Sequence, residues 1–202
     1  SLVLSIAIGS SVQEIERQLR DFQGMDGVYL AIGVHPHDVE DFPLSKLNEL
    51  ERFLDHPKVL AIGEVGLDLH YRSDNLERQK EFFGAFLEMA AKKGLPVVIH
   101  SREAQPQTLD VLQAFPKGML KGIFHCFSYT HDVALKGLDH GFLASFAGNL
   151  TFKRADGLRE VARALPLDAL LVETDAPFLA PEPFRGKTNE PAFIIETVRT
   201  LS

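Results

Sequence analysis

The stretch GLPVVIHSRE (residues 94–103) passes directly from an apolar run into ionisable side chains. Its apolar residues 95–99 are typical of a parallel strand that is covered on both faces. His100 and Arg102 then follow, where a purely structural strand would be expected to end in a turn. The same change from apolar to polar recurs at other strand ends. This repetition predicts that one end of a parallel sheet carries the functional groups.

Seven apolar runs bounded by glycine and proline predict strands, and amphipathic segments between them predict helices. The predicted strands are residues 2–8, 28–33, 59–66, 96–101, 122–127, 142–148 and 170–176, and the clearest helices are 11–22, 75–94 and 130–141. Ser11 and Glu14 have the spacing of a capping box, Asn75 is expected to cap the second helix, and Gly94 is expected to end it. Alternation of strands and helices predicts a parallel α/β fold.

The number of strands favours one kind of α/β fold. A closed TIM-type (β/α)8 barrel needs eight strands, and residues 1–202 predict seven. An open doubly wound sheet is the alternative, but no glycine-rich phosphate turn follows an early strand. We therefore predict a (β/α)8 barrel whose first strand is missing from residues 1–202. We expect one domain over residues 1–202, incomplete at both ends.

Composition limits the compartment and the partners. A net charge of −7 argues against tight, non-specific binding of duplex DNA by a broad basic surface. The single cysteine, Cys126, cannot form an internal disulfide, which indicates a reducing compartment, the cytoplasm or, in a eukaryote, the nucleus. The opening apolar segment is too short to span a bilayer, so no membrane association is expected. The oligomeric state is left open.

Four ligand-type side chains end four predicted strands: Glu64, His100, His125 and Asp175. All strand ends of a parallel barrel meet at one rim, which is where such barrels carry their active sites. Two imidazoles and two carboxylates at this rim predict a divalent metal site. Taken singly, each residue has a structural alternative, such as a hydrogen-bonded histidine or a carboxylate that seats a turn.

Side-chain alternation along a strand adds two expectations. If Asp175 points inward, Glu173 does too, so Glu173 is either a partner of a metal ligand or a carboxylate hydrogen-bonded to a neighbouring strand. If His125 points inward, Cys126 points towards the helices and is not a ligand. Asp68 is expected to hold the loop after Glu64 rather than to take part in chemistry.

The same segments resemble a known family. AIGVHPHDVE, AIGEVGLDLHYR, LPVVIHSREA, GIFHCFS and LLVETDAPFLAPEPFRGKTNEP are similar, in order and spacing, to the signature blocks of the TatD family of metal-dependent deoxyribonucleases. These blocks extend over residues 28–202 and are specific as a set. The resemblance implies a (β/α)8 barrel of the amidohydrolase-like superfamily.

The resemblance also implies an activity and residue roles. It implies hydrolysis of DNA phosphodiester bonds, at ends or in single strands, with one or two divalent ions (Zn²⁺, Mg²⁺ or Mn²⁺) per chain. Glu64 would bridge two ions, His100 and His125 would hold one ion, and Asp175 would hold the other and act as general base. Alternatives are a related barrel that cleaves a small ester or amide, and an impaired barrel with a binding role.

One motif of the family is not found in residues 1–202. The family's first strand ends in His-x-His, and the only such triplet here is His35-Pro-His37 in a later block. Three explanations are open: the first segment lies outside the residues given, it was lost in a splice or gene-model variant, or the barrel is degenerate. In the last two cases we expect weakened activity and at most one ion.

Basic and polar side chains in the loops after strands are candidates for substrate binding. They are Arg102, His35, Arg185 and Lys187. Arginine suits bidentate contact with phosphate. The alternative for Arg102 is an ion pair with Glu103 or Asp68, and the alternative for His35 is a hydrogen bond within its loop. Asn189 is expected to begin the final helix.

Overall fold

A computed structural model of the protein describes residues 5–9 and 11–202, so residues 2–4 of the first predicted strand lie outside the described residues. The strands are β1 (Ser5–Gly9), β2 (Val28–Ile32), β3 (Val59–Asp68), β4 (Val97–Arg102), β5 (Gly122–Phe124), β6 (Phe142–Phe146) and β7 (Leu170–Val172). The helices are α1 (Val12–Asp21), α2 (Leu47–Glu51), α3 (Leu76–Lys93), α4 (Gln105–Gln113), α5 (His131–Asp139), α6 (Asp156–Ala164) and α7 (Ile194–Leu201). The predicted alternation of strands and helices is confirmed.

The chain divides into two compact units, residues 1–122 and 123–202. In the first unit, β1, β2, β3 and β4 pair in chain order and all pairs are parallel. Their carboxyl ends therefore lie at the same edge of the sheet, as expected for parallel strands. In the second unit β6 and β7 also pair in parallel. The single domain expected over residues 1–202 stays a prediction.

The helix ends follow the expected capping chemistry, with one correction. Ser11 Oγ accepts the backbone N–H of Glu14 at 3.3 Å, and Gly94 ends α3 in the left-handed conformation at φ 66°. Asn75 does occupy the N-cap position of α3, but its side chain makes no capping bond. Its Oδ1 instead accepts Nε2 of Gln79 at 2.7 Å, because Gln79 is buried and needs partners for its amide.

The core of the first unit lies between α3 and the sheet. Three fully buried rings, Phe82, Phe83 and Phe86, lie on one face of α3, which packs on β3. Burying one such side chain contributes about 1.5–3 kcal/mol relative to leaving it in water. This packing holds the middle of β3 in place, and Glu64 lies in that strand.

Several strands end earlier than predicted, and the difference is largest for β5 and β7. β5 ends at Phe124 and β7 at Val172, so His125 and Asp175 lie just beyond their strands. Cys126 at φ 47° and Asp175 at φ 57° adopt a left-handed backbone, which a regular strand does not contain. No helix in the described residues is both long and apolar enough to cross a membrane.

Candidate metal centre

Three ligand-type side chains converge at the carboxyl edge of the sheet in the first unit. Glu64 comes from β3, His100 from β4, and His35 from the loop that follows β2. One potential ligand atom of each residue lies within 4.8 Å of those of the other two. The pair formed by His35 Nε2 and Glu64 Oε2 is 3.8 Å apart. We call His35, Glu64 and His100 the Glu64 cluster.

The Glu64 cluster favours a neutral imidazole at His35. Burial, together with the nearby His100, lowers the pKa of His35 to about 4, although Glu64 opposes the shift. At neutral pH this side chain therefore carries an unprotonated nitrogen. An imidazole must be in that state to bind a metal ion.

Asp68 orients two of the histidines around this cluster. Its side chain is fully buried, and its Oδ2 lies 2.9 Å from Nε2 of both His100 and His37. Burial alone would raise the pKa of Asp68, but hydrogen bonds from His100, from the Tyr71 N–H and from His37 hold it well below its usual range. The carboxylate is therefore ionised and accepts both imidazole N–H groups. His100 is left with Nδ1 as its nitrogen for an ion.

A carboxylate that orients a histidine ligand is the usual outer partner in protein metal sites. Asp68 was expected only to hold its loop, which it also does, since Oδ1 accepts the N–H groups of His70 and Tyr71. The sequence contained a signal for its second role. Glu64 and Asp68 are an even number of residues apart in one strand. Because side chains alternate between the two faces of a sheet, both residues are expected on the same face.

The second unit contains a similar pair of carboxylate and histidine. Nδ1 of His125 lies 2.9 Å from Oε1 of Glu173, and Nε2 of His125 lies 3.4 Å from Oδ1 of Asp175. Two ligands bound at 2.0–2.1 Å to a tetrahedral Zn²⁺ would be about 3.4 Å apart. The spacing of His125 and Asp175 therefore fits two ligands of one ion. We call His125, Glu173 and Asp175 the His125 cluster.

Glu173 contacts both a predicted metal ligand and a neighbouring strand. Besides contacting His125, its Oε1 accepts the Cys126 N–H at 2.8 Å, and its Oε2 accepts the Ser145 hydroxyl of β6 at 2.6 Å. Ser145 is buried, so the carboxylate is fixed from the neighbouring strand. The alternative in which Glu173 is hydrogen-bonded to a neighbouring strand is confirmed, and its role as the partner of a metal ligand stays a prediction.

The loop that carries Asp175 is held by Asn189. The Asn189 side chain is buried, and its Nδ2 donates at 2.6 Å to the carbonyl groups of both Thr174 and Phe178. Its backbone N–H donates to Pro177 at 3.0 Å. The expectation that Asn189 begins the final helix was wrong, since α7 begins at Ile194. The role of Asn189 depends on tertiary contacts with both sides of this loop, and the local sequence does not predict such contacts.

The structure brings the predicted metal ligands together in pairs. Glu64 and His100 meet in the first unit, and His125 and Asp175 meet in the second. A single centre shared by all four stays a prediction. His35, which was expected to contact substrate, lies among the ligand-type residues of the Glu64 cluster.

The basic residues expected to contact substrate lie against aromatic rings. The Arg102 guanidinium is 4.9 Å from the ring centre of Tyr71, and that of Arg185 is 4.0 Å from the ring centre of Phe152. Lys187 Nζ is 5.8 Å from the ring of Phe184. The expected alternative for Arg102, an ion pair with Glu103 or Asp68, is not found among the described residues. Asp68 binds histidines, and Glu103 binds His70 at 2.6 Å.

The residues present fit a divalent ion. The Glu64 cluster offers two imidazoles and a carboxylate. In the His125 cluster, the imidazole of His125 and the carboxylate of Asp175 lie close enough together to bind the same ion. In both clusters a further carboxylate holds a histidine in a defined orientation. Mixed nitrogen and oxygen ligands of this kind suit Zn²⁺ or Mn²⁺, and the carboxylates also suit Mg²⁺.

Comparison with known proteins gives a consistent result. The sequence model of the family described as TatD related DNase matches residues 2–202. The uncharacterized metal-dependent hydrolase YabD of Bacillus subtilis is 38% identical, over 94% of this chain and 74% of its own length. The corresponding hydrolase YcfH of Escherichia coli is 41% identical, over 91% of this chain and 69% of its own length. The crystal structure of YjjV, a TatD homolog from E. coli, superposes with a TM-score of 0.89 at 29% identity, covering 98% of this chain and 77% of that one.

These likenesses and the two clusters define a metal-dependent hydrolase with an α/β fold of the TIM-barrel type. The predicted fold class is thereby confirmed. Within that class, the chain belongs to the family of TatD related DNases.

Proposed function

We propose that this hydrolase cleaves the phosphodiester bonds of DNA, at strand ends or in single strands. The match of the TatD related DNase family over residues 2–202 carries the proposal of DNA as substrate. The two clusters support hydrolysis with one or two divalent ions per chain. A reducing compartment, the cytoplasm or a eukaryotic nucleus, suits a chain with a single cysteine.

In this proposal the side chains of the clusters have distinct tasks. When bound, a divalent ion lowers the pKa of water and neutralises charge on phosphoryl oxygens. Glu64, His35, His100, His125 and Asp175 would hold ions, and Asp68 and Glu173 would keep the histidine rings oriented. The Asp175 carboxylate is half-buried, and Oδ1 faces His125. In the proposal, Asp175 would also accept the proton of the attacking water as general base.

The charge of the chain is relevant to substrate binding. With a net charge of −7, affinity for a polyanion must come from local groups rather than from the whole surface. Arg102, Arg185 and Lys187 lie in or near loops that follow strands, and each keeps its cation in contact with an aromatic face. We propose that Arg185 and Lys187 contact the phosphates of the substrate and that Arg102 contacts the substrate beside Tyr71.

The test is hydrolysis of labelled DNA by protein freed of metal and then supplied with Mg²⁺, Mn²⁺ or Zn²⁺. Single-stranded and duplex oligonucleotides labelled at the 5′ or 3′ end would show whether the protein prefers single strands and from which end it digests them. Glu64→Gln and Asp175→Asn should each lower kcat by about 100-fold or more, as expected for loss of a ligand or a general base.

Matched controls come from exposed carboxylates elsewhere in each unit. Glu88→Gln in α3 and Asp168→Asn before β7 make the same chemical changes at exposed positions and should leave hydrolysis unchanged. The proposal fails if Asp175→Asn keeps full activity. It also fails if the metal-loaded protein cleaves a lactone or a small ester but no DNA.

A further inference from the structure

Tyr71 presents a large aromatic ring to solvent beside the Glu64 cluster. It is 63% exposed and lies in the loop that follows β3. Its ring contributes little to the core, so packing does not explain its position. The ring nevertheless has a defined setting, since His37 contacts it edge-on with ring centres 5.0 Å apart, and His70 does so at 4.8 Å.

The loop under this ring is tied to buried groups. Asp68 accepts the Tyr71 N–H at 3.2 Å, and the side chain of Gln79 donates to the carbonyl groups of Asp68 and Arg72, both at 3.1 Å. Gln79 also accepts the Asp68 N–H at 2.8 Å, and it is buried within α3. A loop held in this way is preorganised. Binding of a ligand to the exposed ring would therefore cost little conformational entropy of the loop.

Tyr71 is close to the proposed chemistry. His37, which contacts Tyr71, also contacts His35, with ring centres 4.4 Å apart. The buried carboxylate that binds the Tyr71 N–H is the one that orients His100. Asp68 therefore holds both the loop that carries the Tyr71 ring and a histidine of the Glu64 cluster. A phosphate at the cluster would place a neighbouring nucleotide within reach of the ring.

Arg102 adds a cation to the same surface. It is exposed, and its guanidinium lies 4.9 Å from the ring centre of Tyr71. The main chain joins the two loops as well, since the Leu69 N–H donates to the Arg102 carbonyl at 2.9 Å. An aromatic ring with an adjacent arginine is the combination that proteins use to stack unpaired bases of single-stranded nucleic acids.

We propose that Tyr71 and Arg102 form a stacking subsite for an unpaired nucleobase next to the Glu64 cluster. The inference deepens the proposed function, on which it rests for the nature of the substrate. If the proposal holds, the Tyr71 ring is the reason that the protein prefers single-stranded DNA. The faces of a base in a duplex are covered by its stacked neighbours, so only an unpaired base can stack on this ring. In this proposal Tyr71 contacts a base of the substrate, whereas the ions contact its phosphates.

The test compares a short fluorescent oligothymidylate with an oligonucleotide of equal length and charge in which every residue is abasic. Binding is measured by fluorescence anisotropy on the metal-free protein, and hydrolysis of both is measured with Mn²⁺. Tyr71→Leu removes the ring and keeps an apolar side chain, and Tyr71→Phe keeps the ring. Met25→Ala, in the loop before β2 and 50% exposed, is the control for loss of an exposed apolar side chain.

The wild type should prefer the oligothymidylate. Tyr71→Leu should weaken its binding by about 5- to 150-fold, the range for loss of one base–aromatic stack, and should leave the abasic oligonucleotide unaffected. Tyr71→Phe and Met25→Ala should both bind as the wild type does. Circular dichroism of each variant confirms that it is folded.

The inference is overturned if Tyr71→Leu weakens both oligonucleotides equally, if it weakens neither, or if the wild type shows no preference. Failure of the proposed function gives a different pattern. In that case no oligonucleotide is hydrolysed at any metal concentration, and the binding measurement alone decides whether Tyr71 stacks a base.

Discussion

The Asp68 Oδ2 atom lies 2.9 Å from the His100 Nε2 atom, and no solvent reaches the carboxylate that makes this contact. The second unit repeats the relationship, since Glu173 contacts His125 at the same distance. In each case the carboxylate determines which ring nitrogen remains for an ion. The orientation of the histidines is therefore set by the protein before any ion binds.

Replacing Asp68 with Asn should weaken metal binding. The variant keeps the size of the side chain but loses its charge and one acceptor, so His100 is less firmly oriented. Loss of such a partner lowers metal affinity by about 10- to 100-fold. Isothermal titration with Mn²⁺ or Zn²⁺ measures the change, and Asp110→Asn on the exposed face of α4 is the control. Unchanged affinity in Asp68→Asn would show that the contact has no influence on the ion.

Replacing His35 with Ala distinguishes a metal ligand from a substrate contact. If His35 is a ligand, the variant should bind less metal per chain after dialysis, as measured by plasma mass spectrometry. If it contacts only substrate, metal content should stay constant and only KM should rise. His56→Ala, which changes an exposed histidine at the turn before β3, is the matched control. We expect the first result, because a potential ligand atom of His35 lies within 4.8 Å of those of Glu64 and His100.

Replacing Asn189 with Ala should destabilise the loop that carries Asp175. Two part-buried carbonyl groups lose their 2.6 Å donors, and each lost hydrogen bond costs about 0.5–1.5 kcal/mol. The free energy of unfolding in urea should fall by about 1–3 kcal/mol. Asn149→Ala provides a comparison, since its Oδ1 is buried without a hydrogen-bond partner among the described residues. Equal losses in the two variants would contradict the role given to Asn189.

Two glycines should respond in opposite ways to alanine. A Cβ at Gly66 would collide with the backbone oxygen of His100 in the paired strand, and φ is 144° there. We expect Gly66→Ala to lower the free energy of unfolding by about 3 kcal/mol or more. A Cβ at Gly84, in the middle of α3, meets nothing within 4 Å, so Gly84→Ala should raise it by about 0.5–1 kcal/mol. Thermal unfolding of both variants checks the signs.

Much of the fold could be predicted because its signals are local. Apolar runs between glycine and proline located the strands, and capping residues such as Ser11 and Gly94 located helix ends. The ends of β5 and β7 were missed by a few residues. A left-handed backbone at Cys126 and Asp175 ends the extended runs, and single-residue conformations of this kind are uncommon enough that the apolar pattern did not predict them.

The sequence by itself determined which ligand-type side chains lie in or just after the strands, since residue type and strand periodicity can both be read directly from the chain. Glu64, His100, His125 and Asp175 were predicted in this way, as was the bond of Glu173 to a neighbouring strand, and metal binding by these residues stays a prediction. Only the tertiary structure decided that His35 joins Glu64 and His100, that Asp68 orients His100, and that Asn189 holds the Asp175 loop. These contacts join residues 11 or more positions apart. Their formation depends on strand register, which shifts between Ile62 and Val65, and on loop conformation, and neither follows from local sequence.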